Sequence, residues 1–102
     1  MWRQGDVLIE SCPELPEAVV RQKRLVVAGA DGGGHKHKIK DARTARLFAG
    51  QNSDAQNLYL EVTAPQAELV HPEHGTIVLT QGTYRVWQQR EFTDRGARRV
   101  YD

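Results

Sequence analysis

Cysteine is almost missing from this chain. Cys12 is the only one in 102 residues, so no intrachain disulfide and no Cys-x-x-Cys metal knuckle can form. It stands before Pro13 at the end of an apolar stretch, where a buried structural thiol is the expected role. Long hydrophobic runs are missing too. No stretch approaches the ~20 apolar residues of a membrane span, and the charged opening Met1-Trp2-Arg3-Gln4-Gly5-Asp6 lacks the pattern of a secretory signal. A cytoplasmic protein with no membrane partner is expected. Net charge is close to absent at +1, which excludes a global attraction to nucleic acid. Repeats, linkers and low-complexity tracts are also lacking, so residues 1–102 are expected to form one domain with a single modest core. The Gly29–Gly34 cluster lacks the Gly-Lys-Ser/Thr ending and following helix of a phosphate-binding P-loop, and reads as a flexible connection.

Histidine is scarce, and its placement is the most informative feature of the sequence. All four histidines fall in two tight pairs, His35-x-His37 and His71-x-x-His74. In an extended strand, residues two apart project from one face. His35, His37 and Ile39 would then share one face while Lys36, Lys38 and Lys40 take the solvent face. Pro72 disfavours helical geometry at His71, so the second pair reads as an extended segment turning at Gly75. If the two segments meet, three or four imidazole nitrogens surround one point. His35, His37, His71 and His74 are therefore the candidate ligands of a mononuclear divalent metal. A hydrogen-bonded polar cluster without metal is the alternative.

Short strands dominate the rest of the chain. Gly5–Ser11, Arg24–Ala28, Leu58–Thr63, Thr76–Thr80 and Thr83–Phe92 carry β-rich or alternating patterns. Pro16 predicts a helical turn, Pro65 an end to the 58–63 strand, and Gln81-Gly82 a tight turn. The segment Asp41–Gly50 fits a short helix or a strand, and Arg98–Tyr101 a closing edge strand. The expected fold is all-β: a small compact antiparallel barrel or sandwich with at most one or two short helical turns. Trp2, Tyr84 and Trp87 are expected to pack in the core or at a barrel end.

Several segments together carry a resemblance. Gln4-Gly5-Asp6-Val7-Leu8, Gly34-His35-x-His37, Tyr59-Leu60-x-Val62, His71-x-Glu73-His74 and Gly82-x-Tyr84-Arg85-Val86-x-x-Gln89-Arg90-Glu91-Phe92 together resemble a family of small, uncharacterised bacterial and phage proteins. This chain has Ala30-Asp31-Gly32-Gly33-Gly34-His35 where those relatives have Gly-Glu-x-Thr-Gly-His, and Phe92 where they have Tyr. The His-x-His pair within a β-rich chain also resembles cupins, although no glutamate follows His37 closely and the Pro-x-Gly spacing around a later histidine is missing. These likenesses support the site and leave the chemistry open.

Without thiolates, zinc is the first expectation as cofactor, with Fe, Mn, Ni or Cu also suited to imidazole. Three ligating histidines would leave a position for water activated by the metal, for hydrolysis or, with a redox metal, oxidation. Glu73, between His71 and His74, is the candidate catalytic general base or outer-sphere orienter; a solvated turn carboxylate is the alternative. The competing expectation is a binding module. From His35 to Arg46 five basic residues face only Asp41, and Lys36, Lys38 and Lys40 with Arg85, Trp87, Arg98 and Arg99 could make a face for single-stranded nucleic acid. Arg90 could add an anion contact or simply a cross-strand ion pair. A protein-interaction role with structural histidines is the third expectation. The expected partner is a small molecule or nucleic acid, or a protein on the third expectation, and a homo-oligomer is possible.

Overall fold

The computed structural model describes residues 1–29, 35–51 and 56–89. Its elements run β1 (Trp2–Gln4), β2 (Val7–Cys12), β3 (Val19–Gln22), β4 (Val26–Ala28), β5 (His37–Ile39), a 3-10 turn (Ala42–Thr44), β6 (Ala45–Gly50), β7 (Leu58–His71) and β8 (His74–Gln88). All pairings are antiparallel. The main order is β1-β2-β8-β7-β5-β4, with β6 also on β7 and β3 on β6. The sheet curls into a half-barrel, as the all-β expectation requires.

The curl originates in the two long strands. Register between β7 and β8 slips between Val62 and Gln66, and Gly82 pairs with Val62 at the start of the slip. Pro65 lies inside this interruption, where an amide donor is not needed for the ladder. The expected stop at Pro65 and turn at Gln81-Gly82 are therefore corrected: both are points where continuous strands bend. One consequence is that β7 has two neighbours on its far side. Its first half pairs with β6 (Leu47 opposite Leu60), and its second half with β5 (Ile39 opposite Leu69).

Inside the curl, Val7, Ile9, Leu47, Leu60, Val62, Leu69, Leu79 and Val86 are all below 2% exposed. Trp2 meets buried Tyr84 edge-on, with ring centroids 5.6 Å apart. The predicted helical turn at Pro16 does not form, and Val19–Gln22 instead pairs with Leu47–Gly50. The β-branched pair Val19-Val20 suits a strand, and β6 supplies the partner that local sequence cannot reveal. The ambiguous 41–50 segment divides into a 3-10 turn, capped by the Asp41 carboxylate on the Arg43 amide, and then a strand. Cys12 is half-buried, its Sγ donating to the Glu14 carbonyl at 3.1 Å. The 30–34 glycine cluster, Arg90, Phe92 and the 98–101 strand lie outside the described residues.

Leu60 sits at the centre of this core. Leu60→Ala should lower unfolding free energy by about 2–5 kcal/mol, read as a fall in the urea midpoint at unchanged slope.

Candidate metal centre

Three adjacent strands set three histidines side by side. Pro72-Glu73 forms the two-residue turn between β7 and β8, which pairs His71 directly with His74. This corrects the expected turn at Gly75, which lies within β8. On the other side of β7, Lys38 pairs with Val70, and the antiparallel register carries His37 next to His71. Ring centroids of His37 and His71 are 4.2 Å apart, His71 and His74 4.6 Å, and His37 and His74 6.0 Å. His35 precedes β5, and its ring centroid lies 6.1 Å from that of His71. All four predicted histidines thus gather in one cluster.

Their environments differ sharply. His37 is 5% exposed, whereas the His35 side chain is 59% exposed. The expectation that both point inward from one strand face is corrected, because the strand begins only at His37. His35 Nδ1 lies 3.4 Å from Glu73 Oε1, and the Glu73 amide donates to His71 Nδ1 at 3.0 Å. Glu73 thus stands at the open side of the cluster, touching two histidines through different groups.

Three site residues escape notice in the sequence: Gln4, Gly5 and Asp6, the hairpin that joins β1 to β2. Gln4 is 2% exposed and its Nε2 donates to the carbonyls of Leu69 at 2.9 Å and Gly75 at 2.8 Å. Carbonyls only accept, so the amide orientation is determined, and Gln4 Oε1 faces His37 Nδ1 at 2.9 Å. His37 Nδ1 must therefore carry a proton and donate, and in the neutral ring this leaves the lone pair on Nε2. That nitrogen lies 3.7 Å from Asp6 Oδ1. Gly5 has φ of +59°, and a Cβ there would come within 2.7 Å of His74 Nε2. Gln4-Gly5-Asp6 belongs to one of the motifs quoted above, but its partners lie more than thirty residues away and no spacing rule connects them.

Among the described residues, no group of three or more His, Cys, Asp or Glu side chains has its donor atoms already in position to hold a metal ion. The rings are tilted only 12–42° from one another, and His71 Nδ1 is occupied by the Glu73 amide. Ligation therefore requires rings to turn, and the exposure of His35 and His74 leaves room for that.

The residues of the competing basic face are placed differently. Lys38 flanks Val70 near one end of β7, and Arg85 flanks Tyr59 near the other. Arg85 stacks over Trp87 at 3.9 Å and reaches Glu10 and Asn57, each at 3.4 Å. Arg98 and Arg99 lie outside the described residues.

The site's class follows from this geometry: a small curled β-sheet protein whose sheet end carries a histidine cluster backed by a buried glutamine. The chain belongs to a domain family of unknown function, DUF8820, whose model matches residues 3–89. No curated protein and no solved structure matches it.

Burial pushes the His37 pKa down, as do the neighbouring His71 and, to a lesser degree, His74, against the opposing pull of Asp6. Its folded value thus lies below the ordinary 6.5. Below about pH 6.5 the unfolded chain takes up a proton that the folded chain resists, so this contribution to stability is full above that pH and disappears as pH falls through the folded value. In metal-free protein the urea midpoint should fall on acidification in this window, and fall less in His37→Gln. Separately, Gln4→Leu should cost roughly 2–3 kcal/mol, since it strips buried hydrogen-bonding groups of their partner. Thermal or urea unfolding of the metal-free variant measures that loss.

Proposed function

We propose that this protein binds one divalent transition metal through the histidine cluster, with His35, His37, His71 and His74 as the ligand pool. The observation that carries the reading is the convergence of all four histidines, from two distant segments, onto the end of β7. Imidazoles sharing one tetrahedral ion hold their centroids roughly 5 Å apart, given Zn–N distances of about 2.0–2.1 Å. The observed separations of 4.2, 4.6, 6.0 and 6.1 Å bracket that spacing. The His37 tautomer also supports it, since a ligating imidazole ordinarily donates its other N–H to an outer partner, as His37 does to Gln4.

Zinc is the first candidate on ligand type, with iron, manganese, nickel and copper following. Likeness to cupins in the His35-x-His37 pair supports the same ligand choice by analogy. When bound, the metal would supply a Lewis acid and an activated water with a pKa near about 7. Glu73 is suitably placed for general base or orienting work: its carboxylate is 65% exposed at the open side of the cluster and already paired with His35. The proposed setting is the cytoplasm, in keeping with the single thiol.

Elemental analysis of tag-free protein reconstituted with zinc should find one metal per chain. The His35→Ala/His37→Ala double variant, folded by circular dichroism, should retain less than a tenth of it. Metal content equal in the two proteins, or none in either after reconstitution with zinc, iron, manganese, nickel and copper, would overturn the proposal.

A further inference from the structure

We propose that Asp6 is a ligand of the same metal, so that the centre is a mixed imidazole and carboxylate site rather than a histidine-only one. This rests on the metal-binding reading above. His37 is the buried histidine of the cluster, and its ring is held in place by Gln4. Gln4 spends both amide hydrogens on the Leu69 and Gly75 carbonyls, which forces His37 Nδ1 to donate, and in the neutral ring that its burial favours Nε2 then presents a lone pair. Facing that lone pair, at 3.7 Å, is Asp6 Oδ1. With His37 in this neutral tautomer, two acceptors point at each other at a separation too long for a hydrogen bond, an arrangement that a cation between them resolves.

The distances suit such a cation. Bonds of about 2.0–2.2 Å to nitrogen and oxygen at a tetrahedral angle place the two ligand atoms roughly 3.4 Å apart. Closing 3.7 Å to that value requires only a small movement at Asp6, whose side chain is 48% exposed. Its other oxygen, Oδ2, already accepts from Gln88 Nε2 at 2.6 Å, and its backbone carbonyl accepts from the Gln89 amide at 2.7 Å. Oδ1 is thereby turned toward the cluster, and ligating carboxylates are typically steadied in this way. Gly5 adds an independent indication. Its missing side chain is what allows the turn to lie against His74 Nε2, so the Gln4-Gly5-Asp6 hairpin meets two of the histidines.

The test is a Co2+ titration followed by visible absorption, because the d–d bands of cobalt report ligand type and geometry, with Zn2+ competition giving the affinity. Asp6→Asn preserves shape and a contact for Gln88. It should weaken binding by at least about tenfold, the loss expected even of an outer-sphere partner, and shift the cobalt bands, while the metal-free melting temperature stays that of wild type. In the wild-type chain, which needs no variant to fold, the Asp6 carboxyl carbon resonance should move on adding one equivalent of Zn2+. If Asp6→Asn keeps wild-type affinity and spectrum while His37→Gln loses both, Asp6 is not a ligand and the histidine centre stands. An unmoved Asp6 resonance in zinc-loaded protein says the same. A wild-type chain that takes up no Co2+ overturns the metal centre and this inference together.

Discussion

The buried amide of Gln4 connects parts of the structure that no strand pairing joins. It lies on β1, yet its two N–H groups go to carbonyls of β7 and β8 near their shared turn, and its oxygen goes to His37 on β5. Each of these groups would be costly to leave unpaired in the interior. The β1 end and the β7–β8 turn are therefore held together across the curl of the sheet, and His37 of β5 and His74 of β8 lie against the Gly5-Asp6 turn. The same bonds settle the proton on Nδ1 of His37. One side chain thus determines both how the half-barrel closes at this end and which nitrogen the site presents.

A division of labour among the histidines follows. His37 is buried, neutral in preference and oriented by Gln4. His35 and His74 are exposed, and His71 is held by the Glu73 amide. Two of the four rings are thus held by hydrogen bonds, His37 by Gln4 and His71 by the Glu73 amide, while the other two lie exposed. Glu73 occupies the exposed rim, next to both His35 and His71.

The bend in β7 and β8 is the second constraint on the site. Straight strands of fourteen and fifteen residues would carry their shared turn far from β1. The slip around Pro65 and Gly82 folds the hairpin over, so that His74 reaches Gly5 and Gln4 reaches Gly75. Residues that look like punctuation in the sequence serve here as joints within continuous strands. Local rules cannot distinguish the two uses, because Pro and Gly interrupt a ladder in the same way whether or not the chain turns back.

The sequence by itself determined the all-β class, the strands around Ile9, Leu60 and Val78, and the identity of the four histidines as the residues to watch. Alternation along a strand and the clustering of rare side chains are local properties, readable without a partner. Tertiary structure alone decided that the two histidine pairs meet, that His37 is buried while His35 is not, that Val19–Gln22 is a strand, and that Gln4, Gly5 and Asp6 lie against the histidines. Each of those depends on antiparallel register and on a hydrogen-bond network spanning thirty to seventy residues. The physical reason is that a polar side chain acquires its role from what it is buried against, and the chain must curl before that neighbour exists.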